Sequence, residues 1–245
     1  MSLPDDPILY ILKESKVDLQ GEFIWGSNYT FLVQLEFDGQ AHQAVYKPAR
    51  GERPLWDFPT ASLGKREVAA YLVSSALGWE LVPPTIYRKI EPIGVGSLQW
   101  YIEHDPNYHY FNFSDEDLQR LRPVVLFDLL VNNADRKGSH ILKDPSGHLW
   151  LIDHGVCFHV EDKLRTVIWD FIGEPIPTEL CAGLSELRQK LTSTADEQSE
   201  ISKRLSSYLS QAEIRALIRR ADGLVKAGVF PSPDPYRRPY PWPQI

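Results

Sequence analysis

Apolar residues in PILYILKESK (7–16) recur with helical spacing and predict a short amphipathic helix. From Gly21 to Tyr46 the pattern changes to strands: FLVQLEF runs into Asp38-Gly39 and QAVYK follows, a β-hairpin signature. After a polar, proline-containing loop, REVAAYLVSSALG returns to helical spacing, with Glu67 expected in its first turn and Gly78 as its stop. VPPTIYRKI and GSLQWYIEH predict two further strands about a Gly94-Val95-Gly96 turn. Ser114 then caps a helix through LQRLRPVVLFDLLVNN, which Pro123 should kink or break. A second hairpin follows, from Ile141-Leu142 through a Pro-Ser-Gly turn to the apolar run Leu149–Ile152. KLRTVIWDFIGEPIP predicts a strand or an irregular segment. Three helices come next, ELCAGLSELRQKLT, EQSEISKRLSSYL and SQAEIRALIRRADGLVKAG, the last between a Ser210 cap and a Gly228 stop. The tail SPDPYRRPYPWPQI is proline-rich and should be extended, either laid along the body or disordered.

The second hairpin carries the candidate chemistry. Asp135 stands before it in NNADRKGSH, and Asp153 follows its last apolar strand in LIDHG. Two carboxylates at the two ends of a hairpin suit phosphoryl transfer, in which one orients or deprotonates a hydroxyl and the other holds the metal on the nucleotide phosphates. Lys47, at the end of the apolar strand Ala44-Val45-Tyr46, completes a kinase-like set. Arg136 either neutralises phosphate or ties its loop to the hairpin. Lys137 is either a γ-phosphate contact or an exposed cation, and His154 and His159 are expected to pack near the cleft.

These segments resemble the phosphatidylinositol 3-/4-kinase-like branch of the protein-kinase superfamily, with the type II phosphatidylinositol 4-kinases and HipA-type bacterial kinases as relatives. Asp135-Arg136 matches its D-R-x-x-x-N loop and Asp153-His154-Gly155 its D-x-G triplet, and the likeness covers roughly residues 20 to 175. It implies a two-lobed α+β fold, with an antiparallel-sheet N-lobe over 1–103 and a mostly helical C-lobe over 104–231, followed by the tail, 232–245. It implies ATP with Mg2+ or Mn2+, and Asp135, Arg136 and Lys137 in the catalytic loop. Asp153 would be the metal ligand. Lys47 would contact the phosphates and pair with Glu67, for which complementing a helix dipole is the alternative. Gly26, Ser27 and Asn28 would form the phosphate-covering turn, unless they are an ordinary hairpin turn. Backbone near Ile102, Glu103 and His104 would hold adenine. One position departs: His140 stands where the family has its metal-binding Asn. Imidazole is a softer ligand than an amide oxygen, so His140 either takes part in metal or phosphate binding in a modified way or weakens the second metal site. The implied activity is γ-phosphoryl transfer from ATP to a hydroxyl of a protein, lipid or small molecule. A nucleotide-binding pseudokinase is the alternative.

Composition narrows the partners. A formal charge of −7 argues against general nucleic-acid binding. No apolar run approaches the roughly 20 residues that span a bilayer, so no stable membrane insertion is expected. Two cysteines make neither a disulfide framework nor a zinc cluster. The expectation is a cytoplasmic monomer that binds a nucleotide and an unidentified hydroxyl substrate.

Overall fold

The computed structural model describes residues 6–18, 23–24, 29–192 and 199–245. Its N-lobe opens on α1 (Pro7–Glu14), where the Asp6 carboxylate accepts the Ile8 N–H at 2.9 Å and Leu9 and Leu12 are buried. Strands β1 (Lys16–Asp18), β2 (Phe23–Ile24), β3 (Thr30–Phe37) and β4 (Gln40–Pro48) follow. Asp38 and Gly39 join β3 to β4 at φ 49° and 74°, positive at both positions as the right-handed twist of a tight hairpin favours. Next come α2 (Leu63–Leu77), β5 (Thr85–Ile90) and β6 (Gly94–Trp100). The strands form one antiparallel sheet in the order β1-β3-β4-β6-β5, with β2 also on β3. Lys47 pairs with Ser97 and Pro48 with Gly96. A Cβ on Gly96 would stand 2.3 Å from the Lys47 carbonyl oxygen, so only glycine lets the lysine-bearing strand end close onto β6.

Helix α2 has no solvent face for most of its length. Arg66 through Ser74 are all buried, because the helix packs on β5 and β6 and also against helices of the other lobe. It starts three residues earlier than its apolar pattern predicts, which moves Glu67 from the first turn to the fifth position. The first-turn amides are met from outside: the Glu52 carboxylate accepts the N–H groups of Leu63 at 3.1 Å and Gly64 at 3.0 Å. The dipole-complementing part foreseen for Glu67 thus belongs to Glu52.

In the C-lobe, the helix expected from Ser114 is two helices, α3 (Asp115–Gln119) and α4 (Arg122–Val131). The break falls before Pro123, which sits in the first turn of α4, where its missing N–H costs nothing. β7 (Ile141–Lys143) and β8 (Leu149–Leu151) make the second hairpin. The segment that follows is irregular, anchored by a bridge between Arg136 and Thr166. Helices α5 (Thr178–Thr192), α6 (Glu200–Ser206) and α7 (Gln211–Ala227) complete the lobe. The tail lies along the body. The Thr166 N–H donates to the Pro239 carbonyl at 3.0 Å, the Gly138 N–H to the Gln244 carbonyl at 2.8 Å, and Pro241 is buried.

Candidate active site

Asn132 ends α4 in the left-handed conformation, φ 56°, and turns the chain toward the cleft. The Asn133 side-chain oxygen accepts the Asp135 N–H at 2.9 Å while its amide donates to Asp128 at 3.0 Å. Arg136 has no exposed surface. Its Nε and Nη2 donate to the Asp128 carboxylate at 2.9 and 3.0 Å, and its Nη1 to the carbonyls of His140 at 3.1 Å and Ile152 at 2.9 Å. Its Nη2 also meets His154 Nε2 at 2.8 Å. Burial, then the adjacent guanidinium, hold the His154 imidazole well below its ordinary value, so it is a neutral acceptor. Of the two readings open for Arg136, the structure supports the tie to the hairpin, because a guanidinium so enclosed cannot meet a phosphate.

The loop and hairpin bring the working groups to a cavity of about 410 Å³ between the lobes. Lys47, Glu67, Asp135, Lys137, His140 and Asp153 line it, with Glu52, Ser139 and Ile245 beside them. The Lys47 ammonium donates to Glu67 at 2.8 Å and also to Asp153. Burial alone would lower its pKa, but Asp153 and Glu67 outweigh burial and hold the ammonium above its ordinary value. The second Glu67 oxygen accepts the His154 N–H at 3.1 Å. Asp153 adopts φ 61°, a region aspartate tolerates better than most residues. Gly155 follows two residues later, where a Cβ would press on Leu63 at 3.3 Å. Burial would raise the Asp153 pKa, but Lys47, then His140, hold it well below the usual carboxylate range.

Across the cavity Asp135 behaves differently. Desolvation raises its pKa to about 6 against the pull of Lys137, with Asp153 adding to the rise. A carboxylate so placed suits hydroxyl positioning and proton acceptance near neutral pH. His140 Nε2 stands 3.1 Å from the second Asp153 oxygen. Burial lowers the His140 pKa to about 4, so the neutral ring donates from Nε2 and leaves Nδ1 a buried atom without a partner among the described residues. Among the described residues no three His, Cys, Asp or Glu side chains converge as a metal cage. The donor set fits a magnesium- or manganese-type ion held by Asp153, with His140 adjacent and the rest of the shell from phosphate and water.

Other expected residues lie elsewhere. Gly26, Ser27 and Asn28 fall outside the described residues. Glu103 is exposed and lines a separate groove of about 1110 Å³, which shares no residue with the Lys47 cavity. His104 Nδ1 is bound to the Ile102 carbonyl at 2.8 Å, and neither side chain lines the Lys47 cavity. Sequence reasoning missed Glu52, Asp128, Asn133 and Ile245. A lone carboxylate inside the apolar run LFDLL was a readable signal for Asp128; Glu52 carried none.

The profile of the family described as "Phosphatidylinositol 3- and 4-kinase" matches residues 61–214, more than half of the chain. The chain belongs to that family. It is 37% identical over 278 aligned positions to Protein Rv2133c of Mycobacterium tuberculosis, covering 99% of this chain and 97% of that protein. It is 28% identical to Phosphatidylinositol 4-kinase gamma 4 of Oryza sativa over 66% of its own length, and 31% identical to the Arabidopsis thaliana protein of that name over 42%. It spans only 35% and 23% of those two plant proteins. The crystal structure of the Helicobacter pylori proinflammatory kinase CtkA superposes at a TM-score of 0.51 with 10% identity, covering 89% of this chain and 94% of that one. That likeness establishes the two-lobed kinase fold alone. Membership makes this a kinase-like enzyme. Among the described residues no helix is long and apolar enough to cross a membrane.

Proposed function

We propose that this family member transfers the γ-phosphoryl group of ATP to a hydroxyl of a protein, lipid or small molecule. The observation that carries this reading is the contact of Lys47 with both Glu67 and Asp153 in the cavity that also holds Asp135. Lys47 binds phosphate oxygens. Asp135 orients the attacking hydroxyl and accepts its proton, Lys137 meets the transferring group, and Asp153 with His140 holds the divalent ion. That ion neutralises charge on the nucleotide phosphates. ADP release from ATP with Mg2+ or Mn2+, measured with and without phosphatidylinositol vesicles, peptides and free polyols, tests the reading. The expected result is turnover by the parent and none by Asp135→Asn. A parent that binds ATP without consuming it would establish the pseudokinase alternative, which His140 beside Asp153 favours.

A further inference from the structure

The residue before Glu67 is as firmly held as Glu67 itself, but from the other lobe. Arg66 is 2% exposed. Its Nη1 donates to the Cys157 carbonyl at 2.7 Å, four residues after Asp153, and its Nη2 pairs with Glu213 on α7. The guanidinium lies over the Phe58 ring, 4.8 Å from its centre. Glu213 divides its oxygens: Oε1 takes Arg66, and Oε2 accepts the Ser210 N–H at 2.8 Å in the capping box of α7. One arginine therefore joins α2 to the segment behind the metal-binding turn and to the N-terminus of a C-lobe helix.

In kinases the lysine–glutamate pair has to be assembled for transfer, and displacement of its helix switches the enzyme off. Here α2 cannot rotate or slide without leaving a buried guanidinium or carboxylate unpaired. We propose that Arg66 and Glu213 are positioning residues that clamp α2 to the C-lobe, so that the Lys47–Glu67 pair stays assembled without modification or a partner. The proposal rests on the phosphotransferase reading for its consequence, but the clamp can be tested apart from it.

The test uses the full chain. Glu213→Gln removes the charge and keeps the Ser210 cap, since glutamine serves a capping box as glutamate does; Arg66→Met removes the other partner. In nucleotide-free protein both variants should exchange α2 amide hydrogens at least tenfold faster, with the rates of α4 unchanged. Unchanged α2 exchange in folded Glu213→Gln overturns the clamp, whatever the protein does with ATP. For positioning, ATP–Mn2+ affinity is measured by calorimetry in a cycle with Glu67→Gln. Glu213→Gln should weaken binding at least tenfold in the parent and have no further effect once Glu67 is replaced. Equal losses in both backgrounds would mean a structural role only and overturn the proposal. A parent that binds no nucleotide would sink the phosphotransferase reading and with it the positioning role, and α2 exchange would still decide the clamp.

Discussion

Arg136 and Lys47 both stand among acceptor groups next to the acids Asp135 and Asp153, and solvent access separates their work. Arg136 has no exposed surface, and its guanidinium spreads its donors over Asp128, two backbone carbonyls and His154. Lys47 keeps 21% of its side chain exposed and spends two of its three N–H donors on Glu67 and Asp153. Among the described residues the third donor has no partner, and Lys47 lines the cavity. A fully satisfied cation fixes a loop, and one with a donor in reserve can bind a ligand. Both kinds are needed, because Arg136 holds the loop that presents Asp135.

The contrast is sharpest in stability. Arg136→Met should cost about 3–5 kcal/mol in urea denaturation, since it strands the buried Asp128 carboxylate. Combining it with Asp128→Leu should recover much of that loss. If the single substitution costs under about 1 kcal/mol, the network does not hold the loop. Asp153→Ala should leave folding nearly intact, whereas Lys47→Met strands the buried Glu67 carboxylate and should cost stability as well, and both should remove nucleotide stabilisation. Parent protein with ATP and Mn2+ at about 100 times the dissociation constant should gain about 2.7 kcal/mol in thermal unfolding, and neither variant should.

A smaller effect of opposite sign is expected at Asp135. Its folded-state pKa, raised to about 6 by desolvation, means that the ionised carboxylate is held at a cost at neutral pH. The folded protein binds that proton more tightly than the unfolded chain, so the cost is relieved as pH falls through about 6 toward 4. Asp135→Asn should therefore be more stable than the parent at pH 7 by about 1 kcal/mol, discounted because the carboxylate is 38% exposed, with the gap closing in acid. A gap independent of pH would refute the assignment. The smallest effect concerns His140. His140→Asn should shift metal preference a few-fold from Mn2+ toward Mg2+, read as ATP affinity with each ion; no shift would mean that the imidazole is not a ligand.

The motif-bearing parts of the fold were legible because each has a local cause. Asp38-Gly39 announced its hairpin, Pro123 its helix break, and Asp-His-Gly after an apolar strand its turn. What stayed hidden depends on distant partners. The start of α2 is set by Glu52, eleven residues before Leu63, and its buried outer face by helices over a hundred residues later. Periodicity reports how polar a face is, not which lobe covers it, so nothing in the pattern marked Arg66 as buried. His140 was visible as a departure, but its neutrality follows from burial that no motif encodes.

The path of the tail has a practical side. Ile245 lines the cavity of Lys47 and Asp153 yet is 58% exposed, and its neighbour Gln244 is fastened to Gly138 in the loop that follows Asp135. A bulky group attached there would crowd the mouth of this cavity. The same placement makes Ile245→Cys a convenient handle. A small environment-sensitive dye attached to it would change its emission when nucleotide enters, giving an optical readout of occupancy that requires no turnover.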